Sequence, residues 1–258
     1  MVCAALFNPW DRAIYLASKN NTPLFLKKNF TTPFQGFLQA ILQRAFVYLF
    51  LQAKLEHAMK PYLQDVFGFN APLTKFCIGL AAGGINGTIL NPVIAIKHYT
   101  WGDKNRSFFS SAREMLKYGY KPFLNGMHTS MIRGMVFGGA YEVLRLSLYD
   151  MLTTHTTVLN KIQLQFSANC IAAGFGTMLA SPFIFMRSLQ HATPLGTKPS
   201  TMRALLQNTW SESKAYRSFH KLSFFSCTFR TFPGTVGAAT RIGVAQYLCD
   251  KTRSILNA

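Results

Sequence analysis

A proline phrase that returns three times constrains this chain more than any other feature. Asn91-Pro92-Val93-Ile94-Ala95-Ile96-Lys97 and Ser181-Pro182-Phe183-Ile184-Phe185-Met186-Arg187 each set a proline late in an apolar run and a base five residues after it. Asn8-Pro9-Trp10-Asp11 begins the same phrase near the N-terminus. The prolines recur at roughly 90 residues, too long for a solenoid unit and suited to a pair of membrane helices. The pattern predicts three tandem two-helix repeats, over 1–60, 61–153 and 154–258.

Composition supports a membrane bundle with a wet interior. Hydrophobic residues make up 49% of the chain and charged ones 14%, yet mean hydropathy is only +0.14, so polar positions must interrupt the apolar runs. The net charge of +18 comes without an RNP pattern, zinc spacing or recognition-helix module, so nucleic acid is not an expected partner and anionic lipid is. The five cysteines (Cys3, Cys77, Cys170, Cys227, Cys249) are scattered and form no CxxC or His/Cys cluster, which reads as packing and not as a metal site. With nine acids and no nucleophile–base set, phosphate loop or carboxylate pair, no catalytic residues are assigned and an enzyme is not expected. No cleavable signal peptide or Arg/Ser-rich presequence is evident, so any targeting signal is expected to be internal.

Spans are expected near 1–18, 36–58, 72–100, 126–151, 160–190 and 222–252. Gly79, Gly83, Gly84 and Gly87 in the third, and Ala168, Ala172, Ala173, Gly174 and Gly176 in the fifth, form small-residue stripes that let helices approach closely. Bases crowd the stretches from Lys97 to Lys121 and from Arg187 to Lys221, whereas 151–160 has none. The positive-inside rule puts these long connections on one side of the membrane, matrix-like in a mitochondrion, with both termini on the other. Two connections offer short amphipathic helices, one over Ser110–Lys117 stopped by Gly119 and one starting near Ser200; the first connection, Lys27–Gly36, is compressed and offers none.

These residues resemble the mitochondrial solute carrier family along essentially the whole chain. The resemblance implies an all-α membrane protein, a six-helix bundle of three tandem two-helix repeats with pseudo-threefold symmetry, in the mitochondrial inner membrane. Pro9, Pro92 and Pro182 match the kinks of the odd helices, Gly36 and Gly126 the starts of even helices, and Arg133 and Arg230 their mid-helix arginines. Kinked helices converge and close a cavity, and in the family the acid and base after each proline form a ring of ion pairs there.

Here that ring is reduced. Asp11 keeps one acid, and Lys97 and Arg187 keep two bases, but Ile14, Ile94 and Ile184 occupy the other positions. An Asp11–Lys97 pair is expected to survive, Arg187 to lack its motif partner, and Ile14 to face Ile184 in an apolar contact; such replacements favour one fixed state. Tyr141-Glu142-Val143-Leu144-Arg145 has the letters of the opposite gate about a turn too early. Only eight residues precede Pro9, so a shortened first helix is expected. Matching the family's substrate contact points are Gln43, Arg44, Arg133, Gly134 and Arg230; buried arginines suit carboxylate or phosphate, or else bond carbonyls or lipid. Bound cardiolipin is expected at even-helix starts, near Lys121 and Gly126 and near Arg217 and Ser223, where free N–H groups favour phosphate. No other cofactor is expected. The preferred function is an accessory, structural subunit of a respiratory-chain or other inner-membrane assembly, with other subunits as partners. The alternative is an active carrier exchanging a small anionic metabolite.

Overall fold

The computed structural model describes residues 2–37, 52–63, 70–103, 105–155, 160–214 and 224–241, together with 244. Among them every regular element is helical. The elements are α1 (Val2–Asn20), a 3-10 turn (Lys27–Phe30), α2 (Gln52–Pro61), α3 (Ala71–Ile89), α4 (Asn91–Trp101), α5 (Phe108–Leu116), α6 (Lys121–Leu124), α7 (Met127–His155), α8 (Lys161–His191) and α9 (Met202–Ser213). Further helix covers 224–228 and 231–241.

Helix α8, 31 residues long, is long and apolar enough to cross a bilayer, and α3 and α4 reach that length together as a pair bent by 54°. Helix α7 has 29 residues but carries Arg133, Glu142, Arg145 and Asp150. Six clear apolar spans are therefore not evident among the described residues. The bend falls beside Pro92, at the second position of α4, where a missing N–H needs no helical partner. Expected kinks at the other two prolines do not break their helices: α1 and α8 run unbroken through Pro9 and Pro182.

Polar side chains share the interior with apolar ones. Asn8, Arg12, Asn91, His98, Ser130, Glu142 and Asn169 are buried. On the outside, α8 exposes Ile162, Phe166, Ile171, Phe175, Met178 and Leu179, and α3 exposes Leu73, Phe76, Ile85 and Ile89. Burying hydrogen-bonding groups while exposing apolar faces is unfavourable in water and natural in lipid.

Glycines set the helix spacing. Gly79, Gly83 and Gly87 of α3 lie against the backbone of Gly138, Gly134 and Ser130 of α7, so closely that a Cβ on Gly83 would sit 1.9 Å from the Gly134 carbonyl oxygen. On the other side of α7, Phe137 packs on Gly176 of α8. Gly174 of α8 faces Thr235, and Gly234 faces Thr177, which brings the 231–241 helix against α8. Trp10 of α1 then donates from Nε1 to the Pro233 carbonyl at 2.9 Å, linking the first helix to the last.

The connections follow their capping residues. Ser107, not Ser110, caps α5, with Ser110 completing a reciprocal capping box, and the chain leaves through Gly119 at φ +81°. Thr201 caps α9 by accepting from the Ala204 N–H. The first connection has only its 3-10 turn.

Candidate functional site

The residue before the proline works as a staple. Asn8 donates from Nδ2 to the carbonyls of Pro33 and Gln35 at 2.9 and 3.0 Å, and Asn91 donates to those of Phe123 and Asn125 at the same two distances. Each acceptor pair precedes a glycine in the left-handed region, Gly36 at φ +77° and Gly126 at φ +69°. Ser130 Oγ donates to Asn91 Oδ1 at 2.7 Å, and in the third phrase Ser181 Oγ lies 3.1 Å from Thr231 Oγ1. The same offsets also tie one phrase to the connection before it. Trp101, nine residues after Pro92, donates to the Gln35 carbonyl at 2.7 Å, and His191, nine after Pro182, bonds the Asn125 carbonyl at 3.0 Å. The connections following α1 and α4 therefore meet the C-terminal ends of α4 and α8 at one end of the molecule.

That end is closed by rings. Tyr15 stacks on His98 at 4.2 Å between centroids, Trp101 lies 5.4 Å from His98 and 5.7 Å from Tyr15, and His191 lies 4.9 Å from His98. All four are buried. His98 Nδ1 and His191 Nδ1 are 2.8 Å apart. Since a carbonyl can only accept, His191 donates to Asn125 from Nε2, which leaves its Nδ1 to accept from His98 Nδ1–H when each ring holds one proton. The Lys97 Nζ lies 4.7 Å over the Trp101 ring.

Next to the rings is a cluster of arginines. Asp11 of α1 is ion-paired with Arg241, a partner outside the sequence-derived motif. Thr129 Oγ1 donates to Gln190 Oε1 at 2.7 Å across α7 and α8. One turn beyond Thr129 is Arg133, and three residues before Gln190 is Arg187, so the two guanidiniums come from adjacent parts of facing helices. Arg133 lies in the field of Arg241 and Asp11, and Arg187 in that of Arg133 and Asp11. The Nε atoms of Arg133, Arg187 and Arg241 are buried without a hydrogen-bond partner in the structure. Phe137 and Phe7 present rings 5.8 and 5.5 Å from the Arg133 and Arg241 guanidinium carbons.

Several expected site residues lie elsewhere. Arg230, with φ +52°, stands at the break between the 224–228 and 231–241 helices and donates from Nη2 to the carbonyls of Thr22 at 2.7 Å and Ala17 at 3.4 Å. Its contact with Ala17 parallels that of Thr129 with Gln190, since Ala17 and Gln190 each follow their proline by eight residues. The expected alignment with Arg133 is thus one helical turn out of register, and Arg241 supplies the base from this helix. Gly134 is buried against Gly83 and serves packing. Glu142 pairs with Arg145 within α7 at 2.8 Å. Ile14 packs on the Ala13–Ala17–Leu24 cluster. Lys121 is exposed at the start of α6, and Gly126 precedes α7 with its α-carbon close to His191 and Gln190. Gln43, Arg44, Arg217 and Ser223 lie outside the described residues. Sequence reasoning missed Arg241 and the four rings; the signal available was the fixed offset from each proline, which puts Tyr15 and His98 at one position and Trp101 and His191 at another. Compared with models of known families the chain matches none, and it matches no curated protein.

Proposed function

We propose that this chain has a mitochondrial-carrier fold of three two-helix repeats and serves as a non-transporting, accessory subunit of an inner-membrane assembly such as a respiratory complex. The observation that carries the reading is the buried Tyr15–His98–Trp101–His191 cluster where the odd helices meet. A carrier alternates by breaking and remaking ion pairs at that convergence. Stacked rings, a histidine–histidine bond and backbone carbonyls bound by Asn8, Asn91 and Trp101 instead favour one closed state. The shared Asn8 and Asn91 geometry supports the repeats, and the exposed apolar faces of α3 and α8 support the bilayer. Basic connections support placing both termini in the intermembrane space, with cardiolipin at the even-helix starts around Lys121, Gly126, Arg217 and Ser223.

A second reading, exchange of a small anionic metabolite, is favoured by the arginine cluster alone. The test is uptake by liposomes containing the purified full chain and loaded with phosphate, succinate or nucleotide. Background rates are expected for all three. Saturable exchange that falls when Arg133→Ala is introduced would establish the second reading instead.

A further inference from the structure

We propose that the outward stripes of α5 and α9 form a docking surface for a protein partner, taking a segment in which acidic side chains alternate with apolar ones. The proposal rests on the accessory-subunit reading and names where, and by what chemistry, a partner is held. The three connections share one end of the molecule. Gln35 Nε2 donates to the Thr100 and Asp103 carbonyls at 2.8 and 2.7 Å, and Gln190 Nε2 donates to the Ser200 carbonyl at 3.0 Å. Gly196 of the third connection lies beside the Tyr118 ring of the second. Among the described residues of 21–37, 102–126 and 192–214, the acids are Asp103, Glu114 and Glu212, against nine Lys and Arg. In the first connection Phe25, 78% exposed, is followed by exposed Lys27 and Lys28.

On α9 and its cap, Arg203, Leu206, Trp210 and Lys214 fall within an arc of about 80° at helical spacing, and on α5 Phe109, Arg113 and Leu116 fall within about 60°. All seven are exposed, while Thr209 and Ser213 of α9 and Ser111 and Met115 of α5 are buried. Phe109 and Trp210 are 78% and 62% exposed, more than any large apolar side chain of α3 or α8. Trp210 is held in place from one side, because Phe225 stacks on it at 6.0 Å between centroids, in a ladder that continues through Phe229 to Phe185 of α8. Beside it lies an open cleft of about 540 Å³ lined by Leu206, Gln207, Trp210, Ser211 and Lys214. The acids lie off the stripes. Glu212 falls on the far side of α9, and Glu114 accepts from the Tyr99 hydroxyl at 2.8 Å and pairs with Arg106 at 3.4 Å. Interleaving decides the kind of partner. A helix lying on anionic lipid segregates its bases from its apolar residues. These stripes put both on one arc, as a protein interface does when rings and arginine form its centre and each base meets an acid.

The experiment runs the full chain, the double variant Arg203→Glu/Lys214→Glu and the single variant Trp210→Ser on native gels of inner membranes solubilised in mild detergent. Both variants should cut the high-mass band by about tenfold or more, whereas Lys161→Glu, an exposed base at the opposite end of α8, should leave it unchanged. Thermal unfolding in phosphatidylcholine nanodiscs should be unaltered in each, since the replaced side chains are exposed. High-mass migration that ignores the charge reversal would overturn the surface and leave the accessory reading intact. A second measurement needs no assembly. A helical peptide of about 18 residues, five turns, with Glu and Leu on one face, should shift tryptophan emission of the nanodisc-held chain to shorter wavelength and protect it from acrylamide. The shift should be saturable, should weaken with salt and should be absent in Trp210→Ser. The double Glu variant should bind about tenfold to a hundredfold more weakly, the loss of two charge pairs. A chain that binds the peptide in this way but migrates only as a monomer would support the surface and contradict the accessory reading. Peptide binding unaffected by the charge reversal, or matched by a peptide with Ser in place of Leu, would overturn the surface. So would a Trp210-dependent shift on adding phosphatidylglycerol to the disc without peptide, which would assign the stripe to lipid.

Discussion

Asn91 fixes a connection with one amide. Its two donated hydrogen bonds end on the Phe123 and Asn125 carbonyls, and its oxygen accepts from Ser130. Asn91→Ala removes all three, taking the side-chain donor from Phe123 while Asn125 keeps its bond to His191, which should cost about 1–3 kcal/mol in unfolding free energy. Asn91→Asp should not restore it, because a carboxylate cannot donate to a carbonyl. Denaturant unfolding of the two variants checks this; an Asp variant as stable as the unsubstituted chain would contradict it. Arg230→Gln should also lower stability, through the lost bonds to Thr22 and Ala17. The contrast between Arg230 and Arg241 shows how far single residues were legible. Arg230-Thr231-Phe232-Pro233 has the letters of a mid-helix arginine, but the helix breaks at 229–230, and letters do not reveal a break that moves the register by a turn. The role of the asparagines was hidden for a related reason, since their acceptors lie 25 to 34 residues away.

At the level of elements, the α3–α7 contact is the tightest. Gly83→Ala would put a methyl 1.9 Å from the Gly134 oxygen, with backbone and not a movable side chain in the way. The helices must separate, at a cost of about 1–3 kcal/mol or more. Gly174→Ala is the control, because its Cβ would meet Thr235 Cγ2 at 3.3 Å, which a small shift relieves. Thermal unfolding should fall clearly for the first and little for the second; equal losses would show that close backbone approach is not what these glycines provide. The stripe on α3 was readable from spacing. Its partner was not, because Gly134 next to Arg133 looked like a contact point when only the letters were known. Amphipathic connection helices were also readable, to within a turn at their starts, since Ser and Thr caps act locally. The ring cluster was not, because it is assembled from α1, α4 and α8 and no local pattern announces it.

For the whole molecule, composition told the most and topology the least. Low mean hydropathy with many aliphatics foretold buried polar groups, and Asn8, Arg12, Asn91 and Asn169 are among them. Helical content was legible throughout. Six membrane spans were an inference from proline spacing, and the described residues contain one clear apolar span and one bent pair. Helix α7, which is long enough, carries Arg133, Glu142, Arg145 and Asp150 and so is not an apolar span. On the function proposed above, the buried rings stand where a carrier has a switchable gate, which suits a part of a larger assembly. The measurement that bears most directly on this is the size at which the chain migrates when mitochondrial inner membranes are solubilised in mild detergent and run on a native gel. The account expects a single band far above the 28.9 kDa of the chain, shared with other subunits and retained in a second, denaturing dimension. Migration only at the size of a detergent-bound monomer would contradict it.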